Sequence, residues 1–80
     1  MALDKNEVLE GLIEIIVDET GADPGDIDPD KTFADDLDID SLSMMTILTL
    51  AEDRFDVEIP DDSIQTLQTV QDAVDFIAGD

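Results

Sequence analysis

The chain has 80 residues, no Cys, no His, and 23 acids against three bases (Lys5, Lys31 and Arg54), for a net charge of −20. That length allows one domain, residues 1–80, and the composition excludes disulfides, thiolate nucleophiles, zinc–sulfur sites and imidazole-based triads. The charge repels nucleic acid and anionic membranes and favours basic protein surfaces, although a solubilising acidic coat would look the same.

The opening stretch lacks the basic start and apolar core of a secretory leader, and no apolar run reaches the ~18 residues that span a bilayer. A cytoplasmic protein is expected. Disorder is not, because hydrophobic residues make up 42% of the chain and recur in stripes.

A first helix is predicted from Asp4, its N-cap, with Glu7 completing a capping box. Val8/Leu9, Leu12/Ile13 and Ile15/Ile16 form its apolar face, and Glu7, Glu10, Glu14 and Asp18 the opposite one. Gly21 suits the position past its end.

A long irregular stretch follows, about residues 21–40, with Pro24, Gly25, Pro29 and eight acids against Lys31. Loops of this length in small domains are often functional. Phe33, Leu37 and Ile27 are its expected anchors. Two acidic runs resemble the start of a calcium loop but fail its decisive positions. After Asp36, the sixth and twelfth places hold Ser41 and Ile47; after Asp26 they hold Lys31 and Leu37. The turn Gly and the bidentate Glu are missing in both, which leaves only weak, non-specific divalent binding and no metal site.

The second helix is predicted from Ser41 to about Phe55, with Ser41 as N-cap and Asp40 ahead of it. Leu42, Met44, Met45, Ile47, Leu48, Leu50 and Ala51 are more apolar surface than one docked face needs. Either the helix is buried on two sides, or one face is kept for a partner or ligand. Ile59-Pro60 breaks the chain, and a short helix from Asp61-Asp62 turns Ile64 and Leu67 inward. Thr69 caps the last helix with Asp72 three residues on. Val70, Ala73, Val74 and Ile77 form its stripe, and Gly79 ends it. The expected fold is all-α: a small four-helix bundle of three main helices and one short one.

No paired carboxylates across an apolar cleft are recognisable, Ser41 lacks the flanking glycines of a nucleophile elbow, and there is no Gly-rich phosphate cradle. Ser41 is therefore either a plain helix cap or a modifiable hydroxyl. An anion there would meet the positive end of the helix dipole, against opposition from Asp38 and Asp40.

The run from Phe33 to Leu42, containing Asp40-Ser41-Leu42, resembles the modification motif of acyl carrier proteins. So does Ala51-Glu52-Asp53-Arg54-Phe55-Asp56-Val57-Glu58-Ile59-Pro60-Asp61, and the stretch Thr69 to Ile77 resembles the family's ending. The resemblance implies a discrete carrier, not an enzyme. A phosphopantetheinyl transferase would move 4'-phosphopantetheine from coenzyme A onto Ser41, with Asp40 assisting and Leu42 alongside. Activation of the hydroxyl would then be the transferase's task, which fits the absence of His. Ile47, Leu50 and Ala51 are expected to face inward and, with Ile64 and Leu67, shelter the acyl chain. Leu42, Met45, Asp38, Glu52, Asp53 and Asp56 are expected to meet fatty acid or polyketide synthase enzymes bearing basic docking patches. Ser43, Thr46 and Arg54 depart from the family's usual acids and thin the charge on the second helix, and Thr49-Leu50-Ala51 alters the cavity region. Fatty acid synthesis by a monomeric carrier is the expected setting. A polyketide or other specialised acyl or aminoacyl carrier is the alternative within the class. An acidic interaction or cation-binding module without a prosthetic group is the rival outside it.

Overall fold

A computed structural model describes residues 4–79; residues 1–3, read above for a leader, and residue 80 lie outside it. Four α-helices follow in order: α1 (Lys5–Thr20), α2 (Ser41–Phe55), α3 (Asp61–Ile64) and α4 (Val70–Ala78). α1 packs against both α2 and α4. Val8, Leu12, Ile15 and Ile16 of α1 meet Met44, Ile47, Leu48 and Ala51 of α2 and Val70, Ala73, Val74 and Ile77 of α4 in one apolar core. The fold class expected from the sequence is the one found.

The helix ends follow from local chemistry. Asp4 caps α1, but through the Asn6 N–H at 2.8 Å and not through the Glu7 N–H that a capping box uses. Gly21 ends α1 at φ 76°, a left-handed conformation that costs glycine little, and returns its N–H to Val17. Thr69 and Asp72 form the predicted capping box on α4, and Gly79 closes that helix at φ 85°.

Where α1 crosses α2, the side chains leave no room. A Cβ on Gly11 would stand 2.6 Å from Phe55 Cζ and 2.9 Å from Arg54 Nε. Arg54, the only cation on α2, reaches back to Glu14 of α1 at 2.6 Å.

The long loop is more ordered than its sequence indicates. Pro24–Asp26 form a 3₁₀ turn capped by the Asp23 side chain. Ile27, Phe33 and Ile39 are buried and Leu37 packs on the core beside them; Ile39 is an anchor the sequence reading did not name. A short antiparallel seam then ties the loop to the start of α4. Phe33 N–H donates to Gln68 O at 3.0 Å, Val70 N–H to Lys31 O at 3.0 Å, and Gln71 N–H to Pro29 O at 2.9 Å.

Candidate functional site

α2 begins at Ser41, but Ser41 is not its cap. Asp40 holds the extended N-cap conformation, and its Oδ1 accepts the Ser43 N–H at 2.8 Å. The expectation that Ser41 caps the helix is corrected on this point. Both residue types cap well, and here the carboxylate one position earlier takes the task. The Ser43 N–H stabilises the charged form of Asp40 and holds its carboxyl below the ordinary value. Ser41 becomes the first helical residue, exposed to solvent. Among the described residues none bonds its hydroxyl.

The loop before Asp40 is built to hold this arrangement. Thr32 N–H and Thr32 Oγ1 both donate to Asp36 Oδ2, at 2.8 and 3.1 Å, and Asp36 N–H returns a bond to Thr32 Oγ1. Asp38 then adopts φ 55°, a left-handed conformation unusual outside glycine. That turn brings Ile39 N–H back onto Phe33 O at 2.8 Å and places Asp40 at the mouth of α2.

Beside Ser41 opens a cleft of about 570 Å³. Phe33, Ile39, Met44 and Leu67 give it an apolar interior, Met45 and Ile64 stand with them, and Asp40 and Ser41 share the lining. Gln65 and Gln68 add polar groups from the segment after α3. The cleft thus lies between the start of α2, the loop and the α3–α4 connection.

The structure brings some of the predicted residues together and separates others. Ile64 and Leu67 line the cleft. Ile47 and Ala51 are fully buried in the core, 0% exposed, and not in the cleft's lining. Leu50 is not inward: it is 42% exposed on the outer side of α2, next to Thr49, Glu52, Asp53 and Asp56. With Met44, Ile47, Leu48 and Ala51 setting the buried stripe, position 50 turns toward solvent. Leu42 and Met45 are also outward, at 76% and 51%. The sequence reading missed Met44, Ile39 and Phe33 as cleft residues. Met44 and Met45 stand three and four positions after Ser41, so helical spacing from Ser41 was the available signal.

The predicted docking acids differ in their commitments. Asp53 is exposed, and Asp56 is exposed at the C-cap of α2 with φ 54°. Glu52 is half-buried, and its Oε2 accepts the Ile59 N–H at 2.8 Å. Asp38 is exposed on the loop ahead of the site. Among the described residues no group of three or more acids could hold a metal ion, and no helix is long and apolar enough to cross a membrane.

The site fits a covalently attached arm. The hydroxyl is exposed and uncommitted, and an apolar cleft begins beside it. Comparison with known proteins agrees. Residues 10–77 match the family model described as the phosphopantetheine attachment site. The acyl carrier protein of Myxococcus xanthus is 60% identical over 75 residues, covering 94% of this chain and 95% of that protein. That of Micrococcus luteus is 60% identical over 75 residues, with 94% and 93% covered. A solved acyl carrier protein structure from Enterococcus faecalis superposes with a TM-score of 0.81 at 31% identity, covering 96% of this chain and 98% of that one. The chain belongs to the acyl carrier proteins, which are carriers and not catalysts, and its matched domain is the family's attachment site for phosphopantetheine.

Proposed function

We propose that Ser41 carries the 4'-phosphopantetheine arm and that the chain, as a single monomeric carrier domain, shuttles acyl intermediates of type II fatty acid synthesis in the cytoplasm. The observation that carries this reading is the Ser41 hydroxyl: exposed, released from capping by Asp40, and set at an apolar cleft. When bound, the arm supplies a terminal thiol that holds acyl groups as thioesters. The chain's own residues do the rest. Asp40 fixes the first turn of α2 and so the place of Ser41 on it. The positive end of the α2 dipole favours the arm's phosphodiester at the helix start, against the Asp40 carboxylate that already takes the Ser43 N–H. Phe33, Ile39, Met44, Ile64 and Leu67 offer an apolar surface to the cargo. An interior lined by hydrocarbon and thioether groups suits an alkyl chain better than an oxygen-rich polyketide.

The partners are a phosphopantetheinyl transferase and synthase enzymes with basic docking patches, met by Leu42, Met45, Asp53 and Asp56. Exposed ion pairs are each weak, about 0–1 kcal/mol, so charge speeds arrival more than it prolongs contact. A chain of net charge −20 also repels copies of itself, which supports a monomer.

Intact-mass measurement after incubation with coenzyme A and a phosphopantetheinyl transferase tests the central claim. A single adduct of phosphopantetheine mass is expected, absent in Ser41→Ala. No adduct with several transferases would sink it. The acyl chains and the ketosynthase accepted by the loaded protein separate fatty acid from polyketide service.

A further inference from the structure

Glu52 stands about three turns along α2 from Ser41, on the stretch read as a docking surface. Its side chain is nevertheless committed within the fold. Oε2 takes the Ile59 N–H at 2.8 Å, across seven residues of chain, while its own carbonyl accepts the N–H groups of Asp56 and Val57. One residue therefore accepts three N–H groups of the α2–α3 connection, those of Asp56, Val57 and Ile59.

Two side chains also seat that connection on the core, Ile59 within it and Val57 against it. Ile59 is buried, Pro60 follows it, and α3 is only four residues long with no side-chain cap. The Pro60 carbonyl, one residue past the clamp, receives the Ser63 and Ile64 N–H groups. From there the chain runs directly into Ile64, Gln65, Leu67 and Gln68, which form the far side of the cleft beside Ser41.

We propose that Glu52 is a positioning residue: its carboxylate clamps the Ile59 N–H and thereby sets the far wall of the cleft that receives the arm and its cargo. The proposal rests on the reading of that cleft given above. It removes Glu52 from the docking charges proper and leaves Asp38, Asp53 and Asp56, all exposed, as the acids free to meet a basic partner.

Reach and charge can be separated at this position. Glu52→Gln loses the charge but keeps an acceptor oxygen at the same distance. Glu52→Asp keeps the charge but is one methylene too short. Two readouts are taken by NMR on the full chain, unloaded and carrying an octanoyl-phosphopantetheine arm installed by a transferase: hydrogen exchange at the Ile59 amide, and the shift changes at Ile64 and Leu67 on octanoyl loading. The clamp predicts that both follow reach. In Glu52→Asp the Ile59 amide exchanges about tenfold faster or more, as expected for losing a bond to a charged acceptor, and the cargo shifts at Ile64 and Leu67 change. In Glu52→Gln both stay closer to the parent. A Gln variant that exchanges as fast as the Asp variant overturns the proposal. So does an Asp variant that keeps parental exchange, or one that loses the clamp with cargo shifts unchanged. If no arm can be installed at Ser41, the proposed function fails on that result, and Ile59 exchange in the unloaded protein still decides the clamp.

Discussion

Truncating Ile47 and truncating Leu50 should give opposite results, although both are apolar residues of α2 read from the sequence as inward-facing. Ile47 is 0% exposed and Leu50 is 42% exposed. Ile47→Ala removes buried carbons and leaves a hole between α1 and α2, a change that costs about 2–5 kcal/mol in well-packed cores. For a chain of this size each kcal/mol lowers Tm by roughly 4–8 °C, so a loss near 3 kcal/mol lowers Tm by roughly 12–24 °C. Leu50 has already left part of its surface in water and has no packed cavity to open. Its truncation should cost less than about 1 kcal/mol, the range of ordinary surface changes. Thermal and urea unfolding followed by far-UV circular dichroism measure both, with equal m-values confirming that the states compared are the same. Matching losses in the two variants would refute the placement of Leu50 and reopen α2 as a helix buried on two sides. A small loss at Leu50 with a slower reaction at a partner enzyme would instead mark it as part of the outward face.

Gly11→Ala should destabilise the chain even though alanine is the better helix former. The propensity gain of about 0.5–1 kcal/mol is set against about 1–3 kcal/mol for overpacking, because a Cβ would stand 2.6 Å from the Phe55 ring and 2.9 Å from Arg54 Nε; urea titration giving a more stable variant would show that the ring swings aside freely. The cap at Asp40 should show in the pH dependence of stability. Its carboxyl lies below the ordinary 3.8 because the charged form accepts the Ser43 N–H, so its contribution is complete above that value and is lost as pH falls through the lower folded-state value. The Tm difference between the parent and Asp40→Ala, followed from pH 7 down to pH 2, should therefore shrink below pH 3.8; a difference constant with pH would mean that the cap does not depend on the carboxylate charge.

The elements that were legible in the sequence are those whose causes are local. Asp4, Gly21, Thr69 with Asp72, and Gly79 mark helix ends through bonds to residues two to four positions away, and each sits where its type predicts. Local chemistry did not decide between Asp40 and Ser41 as the cap of α2, since both types cap well and sit next to each other. Periodicity failed at Leu50 for a different reason. A helix with apolar residues all round carries no internal sign of which stripe is buried; the core of α1 and α4 decides that. The seam between residues 29–33 and the start of α4 was invisible for a third reason. It is made of backbone groups, and main-chain pairing between an irregular loop and a helix start leaves no side-chain signature. Glu52 combines the second and third cases: an outward-looking acid whose partner is a backbone N–H beyond a turn.

This division bears on how the site works. On the proposed function, what fits Ser41 to take an arm is its position at the start of α2. It has no base beside it, and the nearest acid, Asp40, has its Oδ1 occupied by the helix it caps. The loop is pinned by Ile27, Phe33 and Ile39, by the Thr32–Asp36 pair and by the seam to α4, so the mouth of α2 does not depend on the helix alone. On the far side, the wall of the cleft rests on a short, uncapped α3 held through Ile59. Both sides of the cleft are thus tied to the core, the loop by Ile27, Phe33 and Ile39 and the far wall by Ile59 and Leu67, and the Phe33–Gln68 bond joins the two. The far wall meets α2 through the Glu52–Ile59 bond, so the Glu52 variants, read by the octanoyl shifts at Ile64 and Leu67, test how far that wall sets the space beside Ser41.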